Sequence, residues 1–150
     1  MFLLAKLLLG LFMIGITVIL HALVCDWVFR FIDHHSRPFV SFFGRHWTIP
    51  TLTVAVFVIC TALMMDMWLW TLLFWYLEPE ALPTLEDALY FSSATFTTVG
   101  YGDVVLTHKW RVLSGTEAIN GLLLFGWSTA FIFEIMAKLY TTNREQGKKI

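Results

Sequence analysis

The chain has 150 residues, of which 58% are hydrophobic and 17% aromatic, and its mean hydropathy is +0.72. A chain this apolar is not an ordinary soluble domain, and its seven tryptophans suit a protein with two membrane interfaces. The net charge of −1 argues against nucleic acid as a partner. Cys25 and Cys60 lie in or beside apolar segments, where we interpret them as small core residues. No catalytic, metal-ligating or phosphate-binding pattern is present, so we predict a protein that is not an enzyme.

Residues 1–24 form the first predicted spanning helix. The segment is almost unbroken apolar sequence, interrupted by Lys6 and His21. About 20 apolar residues are enough to cross a bilayer. A signal peptide is the competing interpretation, but the apolar run is long for one and no small-x-small cleavage site lies near Cys25. We therefore favour an uncleaved transmembrane helix.

Residues 25–50 change in character and predict a cytoplasmic segment at the membrane interface. Apolar and polar side chains recur there on opposite helical faces, which is typical of a short interfacial amphipathic helix that we expect to end at Pro38. His34 and His35 are neighbours that do not share a helix face, so they make a poor ligand pair. We interpret His34, His35 and His46 as interfacial residues, with pH or metal sensing as the competing hypothesis.

A short helix is predicted between two further apolar segments. Residues 51–76 form the second predicted span, which contains the carboxylate of Asp66. A turret at residues 77–83 follows, and Thr84 and Asp87 then stand in a capping-box arrangement. The helix that they open, at residues 85–96, is too short to span a bilayer and too apolar to lie on a surface.

The short helix leads into Thr97-Thr98-Val99-Gly100-Tyr101-Gly102-Asp103, and residues 98–102 have the filter sequence of potassium channels. Over residues 51–137 the chain resembles the pore domain of tetrameric potassium channels, in the helix–pore loop–helix ion-channel family. The resemblance implies an all-α membrane protein with an outer helix, a pore helix with its filter and an inner helix. To these the chain adds an N-terminal spanning helix and the interfacial amphipathic helix. A Gly-rich turn between two helices is the competing interpretation of the motif.

The motif has a physical explanation in ion coordination. Gly100 and Gly102 reach positive φ at little cost, which allows consecutive carbonyls to face one axis. The carbonyls of Thr98, Val99, Gly100 and Tyr101 would then replace the hydration shell of K⁺, and the Thr98 hydroxyl would add the innermost ligands. Val99 and Tyr101 would point away and pack behind the filter. One chain supplies one quarter of such a ring, so we predict a homotetramer with three identical partner subunits.

The filter is flanked by Thr97 and Asp103, and one position beside it departs from the family. Some relatives carry a Glu in the pore helix that can bond the Asp after the filter. Here that position is Ala94, so Asp103 is expected to find another partner or to remain solvated. We also expect Glu78 and Glu80 of the turret to concentrate cations at the outer mouth.

The third predicted span, at residues 112–139, is the inner helix of this resemblance, and a short basic tail at residues 138–150 follows it. Gly121 matches the place of a gating hinge, with close helix packing as the alternative. The predicted pore-lining gate is the stripe Leu122, Phe125, Thr129 and Phe133. The alternative is that this stripe packs against the second span.

Buried polar support is predicted between the second and third spans. Counted from their outer ends, Asp66 and Asn120 lie at similar depth, and Glu117 lies one turn higher. A carboxylate inside a membrane usually faces a polar partner. We therefore predict that Asp66 bonds Asn120 or shares a proton with Glu117.

Lys and Arg concentrate in residues 26–50 and in the tail, which predicts that both are cytoplasmic. The protein would then be a multi-pass bacterial inner-membrane protein with its N-terminus and Lys6 outside. A first segment that stays on the cytoplasmic face is the alternative topology. The predicted function is passive, potassium-selective conduction with no cofactor besides K⁺ in the filter. A nonselective cation channel and a non-conducting membrane subunit that binds ions or a partner are the alternatives.

Overall fold

The computed structural model describes residues 2–43 and 48–147. Within these ranges it describes the side chains of residues 2–32 and 49–141. In these ranges the chain folds into four α-helices and their connections. They are α1 (Phe2–Phe43), α2 (Thr48–Leu77), α3 (Leu85–Phe96) and α4 (Arg111–Gly147).

Three of these helices are long and apolar enough to cross a membrane. Among the described residues the candidate spans are Phe2–Ile32, Ile49–Leu77 and Arg111–Thr141, with mean hydropathies of 2.6, 2.1 and 1.5. The short α3 packs between α2 and α4. The all-α membrane fold predicted from the sequence is therefore confirmed, with an outer helix, a pore helix and an inner helix in the expected order.

One boundary was wrong, because the amphipathic segment does not form a helix of its own. The first helix continues through Pro38 to Phe43, so the predicted separation of residues 1–24 from an interfacial helix in 25–50 is not seen. The apolar stripe reflects packing: Val28 and Ile32 are buried against Ile59 of α2 and Ile135 of α4 in one cluster. The side chains of His34, His35 and His46 lie outside the described part of the chain, and their predicted role stays a prediction.

The first helix runs parallel to α4 along the bundle. Contacts between them advance in step along both helices, from Gly10 beside Thr116, through Thr17 and Asn120, to His21 and Ser128. Lys6 of α1 lies beside the beginning of α4, with its Nζ 5.9 Å from the centre of the Trp110 ring. This packing agrees with a full span and argues against a first segment confined to one face of the membrane.

Aromatic packing holds α3 against α2 and the first turns of α4. Trp70 stacks on Phe74 at 5.8 Å between ring centres, and Phe74 meets Phe91 of α3 edge to face at 5.3 Å. Trp70 and Phe74 are fully buried, as is Leu113 at the beginning of α4. The position of α3 therefore depends on both long helices of the pore domain.

Gly121 of α4 packs directly against the backbone at the C-terminal end of α3. A Cβ at this position would lie 2.8 Å from the carbonyl carbon of Phe96 and closer still to its oxygen. That distance leaves no room for a side chain, and the obstacle is backbone that cannot rotate away. The structure thus supports the packing alternative for Gly121, and its role as a hinge stays a prediction.

Replacing Gly121 by Ala should destabilise the fold. Overpacking of this kind costs about 1–3 kcal/mol, so we expect a lower thermal midpoint for the protein in detergent micelles. Gly126→Ala is the matched control on the same helix, because no neighbouring heavy atom described in the structure lies within 4 Å of a Cβ there. Equal midpoints for the two variants would contradict the close contact.

Candidate ion-conduction site

The pore helix α3 begins at a complete capping box. Asp87 N donates to Thr84 Oγ1 at 3.1 Å, and Thr84 N donates to the Asp87 carboxylate at 3.1 Å. Thr84 has extended backbone at φ −114° and ψ 158°. Both partners and the helix bounds agree with the sequence-based prediction, because a capping box is a local signal within four residues.

Hydrogen bonds attach the predicted filter and its flanking residues (residues 97–103, called the filter segment below) to the last turn of α3. Thr97 N donates to Ser93 O at 3.2 Å, Thr98 N to Thr95 O at 2.9 Å, and Gly100 N to Ala94 O at 3.0 Å. These bonds satisfy carbonyls that the end of a helix otherwise leaves unpaired. The segment therefore leaves the helix in one defined direction.

Positive φ angles alternate along the filter segment. They occur at Thr98 (62°), Gly100 (54°) and Gly102 (78°). The two glycines were predicted to adopt this conformation, whereas Thr98 was not. A side chain in the left-handed region costs about 1–3 kcal/mol and persists where the surrounding structure imposes it, often at functional sites. No property of threonine itself signals this conformation, so the sequence could not reveal it.

Asp103 has a partner on the pore helix despite the Ala at position 94. Tyr90, one turn before Ala94, donates its hydroxyl to Asp103 Oδ2 at 2.6 Å, and Val104 N donates to Asp103 Oδ1 at 3.0 Å. The Tyr90 bond lowers the pKa of the Asp103 carboxyl and raises the pKa of the Tyr90 hydroxyl. At neutral pH the tyrosine therefore keeps its proton and the carboxylate its charge.

The aromatic side chain of the filter packs on the same tyrosine. The rings of Tyr90 and Tyr101 are stacked, with 6.5 Å between centres and 7° between planes. Tyr101 is nevertheless 71% exposed in the single chain, and Val99 is 53% exposed. A cavity of about 370 Å³ lies between α3, the filter segment and the first turns of α4. One chain thus leaves this side of the filter open.

Comparison with known proteins assigns this arrangement to a family. A family model described as an ion channel matches residues 51–138, more than half of the chain. The protein belongs to this ion-channel family. No curated protein matches the chain. No solved structure matches it either. The match includes α2, α3, the filter segment and most of α4, and α1 lies outside it.

The predicted contact between Asp66 and Asn120 of this channel was wrong. Asp66 Oδ2 lies 2.9 Å from His21 Nδ1, whereas Asn120 Nδ2 donates to Thr17 Oγ1 at 2.8 Å. The third residue, Glu117, accepts instead from Ser92 of α3. All three predicted residues are buried, as expected, but α1 and α3 supply their partners.

Thr17 and His21 are the residues that the sequence analysis missed at this site. Both are fully buried and lie one turn apart on the same face of α1. Polar side chains in a spanning helix usually face protein, and that signal was available in the sequence. The helix that each would face was not, because it depends on how the three long helices pack.

The predicted gate stripe on α4 faces away from the bundle of the single chain. Leu122 is 60% exposed and Phe133 is 66% exposed, and Thr129 is also exposed. Phe125 is partly covered by Phe96, with 5.7 Å between ring centres. Other residues in the same part of α4 are buried against the neighbouring helices, among them Leu124, Ser128, Phe131 and Ile135. Within one chain the stripe therefore does not pack against α2, and its role as a pore-lining gate stays a prediction.

The two turret carboxylates, Glu78 and Glu80, differ in their surroundings, so the expectation that both attract cations at the outer mouth changes for Glu78. Glu78 is 3% exposed and accepts a hydrogen bond from Thr107 Oγ1 at 2.5 Å. It therefore connects the end of α2 to the loop after the filter. Glu80 is exposed and remains available to attract cations.

Tyr90→Phe tests the contact beside the filter. Without the donated hydrogen bond the pKa of Asp103 should rise towards its ordinary value. Acid would then neutralise Asp103 at a higher pH, and the midpoint of any acid-induced loss of ion flux from liposomes should move to higher pH. Tyr76→Phe is the control, because Tyr76 is 82% exposed. An unchanged midpoint in Tyr90→Phe would contradict the assigned role of this bond.

Proposed function

We propose that this channel conducts potassium selectively and passively, as a homotetramer. The observation that carries the proposal is the alternation of positive φ at Thr98, Gly100 and Gly102 within the Thr-Val-Gly-Tyr-Gly motif. An ordinary extended strand directs successive carbonyls to opposite sides. Alternating left-handed residues provide the backbone that consecutive carbonyls need in order to face one side.

Potassium is the ion that this backbone suits. K⁺ must exchange its hydration shell for oxygen ligands, and rings of backbone carbonyls supply them in potassium channels. The proposed ligands are the carbonyls of Thr98, Val99, Gly100 and Tyr101, together with the Thr98 hydroxyl. No cofactor besides the ion is required, and no catalytic activity is expected.

Exposure of the filter in the single chain supports assembly of four subunits. The motif occurs once in the sequence, and its Val99 and Tyr101 side chains are largely uncovered. Three further copies around a common axis would complete the ligand rings and cover these side chains. The same assembly would bring the four α4 stripes together below the filter.

The proposed topology follows from the filter and from the distribution of charge. The Tyr101–Asp103 end of the filter faces outward, which places the end of α2 and the beginning of α4 outside. The basic tail is then cytoplasmic, as the positive-inside rule expects. Because α1 is parallel to α4, the N-terminus lies outside with Lys6. We assign the protein to the bacterial inner membrane, where lipid covers the outer faces of the tetramer.

The proposed gate is formed by α4. Four copies of Phe125 and Phe133 converging below the filter would form apolar rings, and such rings stop ions by expelling water. Thr129 would form a polar collar between them. Bending at Gly121 would move the lower part of α4 away from the axis and widen the pathway.

Gly100→Ala and Gly102→Ala should each abolish potassium flux. A Cβ at either position meets no heavy atom within 4 Å in the described part of the chain, so the effect would come from the backbone conformation. Holding alanine at these angles costs about 1–2 kcal/mol in each of four subunits. Flux of K⁺, Rb⁺ and Na⁺ from liposomes measures the loss. Gly15→Ala is the control, because a Cβ at this position of α1 meets no described neighbour within 4 Å. Equal Na⁺ and K⁺ flux in the unaltered protein would favour a nonselective channel.

Phe133→Ala should raise open probability or leak, and so should Phe125→Ala if Phe125 forms the upper ring. Removing a ring side chain widens an apolar constriction and makes its dewetting less favourable. Single-channel recording measures the change. Phe57→Ala is a matched control, because Phe57 is an exposed aromatic residue of α2. Normal gating in both α4 variants, with intact tetramers, would place the gate at the filter.

A further inference from the structure

We propose that α1 restrains α4 through two hydrogen bonds, Thr17–Asn120 and His21–Ser128, which we call the clasp. In this proposal Thr17 and His21 are positioning residues that oppose bending at Gly121. The clasp holds α4 on both sides of this glycine. The proposal rests on the proposed gating by α4. It assigns a function to the helix that lies outside the matched ion-channel domain at residues 51–138.

The first contact of the clasp lies directly before Gly121. Asn120 Nδ2 donates to Thr17 Oγ1 at 2.8 Å, and both side chains are fully buried. The Asn120 Oδ1 atom has no hydrogen-bond partner among the described residues. The bond to Thr17 is therefore the polar contact through which the Asn120 side chain is held to α1.

The second contact lies about two turns further along α4. The Ser128 hydroxyl is 3.0 Å from His21 Nε2, and the other ring nitrogen, Nδ1, is 2.9 Å from Asp66 Oδ2 on α2. Trp127 packs edge-on against the imidazole, with 6.2 Å between ring centres. The histidine is thus itself held by α2, and Ser128 is connected through it to both neighbouring helices.

Further contacts anchor the part of α4 before Gly121 to α1 and α3. Glu117 accepts a hydrogen bond from Ser92, and Gly10 of α1 packs directly on Thr116. Gly121 itself contacts the backbone of Phe96. With this part of α4 fixed, a bend at Gly121 would displace the part that carries Ser128.

A bend would therefore break a buried hydrogen bond. Thr17 and His21 belong to one continuous helix, so they cannot follow two parts of α4 that move apart. Little water is present in the membrane interior to replace a lost partner. Hydrogen bonds between spanning helices have measured strengths that correspond to about 3-fold to about 20-fold in an equilibrium constant. The clasp should bias the gate towards its closed form by a factor in this range for each bond.

Thr17→Val and Ser128→Ala each remove one bond of the clasp while leaving the filter and the gate stripe unchanged. In single-channel recordings each variant should raise open probability, with the equilibrium constant for opening increased by about 3-fold to about 20-fold for each subunit that bends. Unitary conductance and the K⁺ to Na⁺ permeability ratio should not change. Thr61→Val is the matched control, because the Thr61 hydroxyl is exposed and donates to Phe57 O of its own helix.

A double-mutant cycle separates the clasp from a general loss of stability. Thr17→Val and Asn120→Leu remove the same hydrogen bond, so the double variant should have the open probability of the single variants. Two independent packing defects would instead multiply their effects. Multiplicative effects would therefore overturn the assignment of Thr17 as a positioning residue.

Hydrogen–deuterium exchange tests the clasp without relying on conduction. In detergent-solubilised tetramers, α4 amides after Gly121 should exchange faster in Thr17→Val and Ser128→Ala than in the Thr61→Val control. Unchanged or reduced open probability, or unchanged exchange in both variants, would overturn the clasp. A protein that conducts no K⁺ would contradict the proposed function, whereas the exchange result would still decide whether α1 restrains α4.

Discussion

The structure depends on one constraint: inside a bilayer, backbone polar groups must be satisfied by the protein itself. The three long helices meet this constraint through their own hydrogen bonds. A segment that presents carbonyls to an ion cannot, because those carbonyls must remain free. The structure attaches the segment after Phe96 to the last turn of α3, and residues 97–103 remain exposed in the single chain. The proposed tetramer would enclose this non-helical backbone in protein.

The same constraint governs the polar side chains of the spanning helices. Asp66 pairs with His21, Asn120 with Thr17 and Glu117 with Ser92, and each pair joins two different helices. Packing between apolar helices in lipid lacks the hydrophobic driving force that operates in water. Polar pairs and close contacts at small residues, such as Gly10 and Gly121, therefore specify how these helices fit together.

The first helix changes how the pore domain can be understood. An ion-channel domain at residues 51–138 contains the filter and the inner helix, yet two of the buried polar residues on α4 find their partners on α1. In the proposed function, filter geometry and inner-helix motion would therefore be controlled by different parts of the chain. In the proposed channel, Tyr90 and Asp103 stabilise the filter locally, whereas Thr17 and His21 contact α4 at a distance from it.

Local signals in the sequence determined the features that depend on neighbouring residues. The capping box located α3, and the glycines at positions 100 and 102 predicted positive φ because glycine has no Cβ. The hydrophobic segments identified three spans, although the stripe after Cys25 suggested an interface where packing against α2 and α4 was responsible.

Tertiary structure decided which distant groups meet. The partners of Asp66, Asn120 and Asp103 lie 45, 103 and 13 residues away in the sequence, and matching depths along two helices did not identify them. The left-handed conformation of Thr98 belongs to the same class, because the surrounding structure imposes it against the preference of the residue. Pairing between helices depends on their relative direction and rotation, and a single sequence does not encode these in any local pattern.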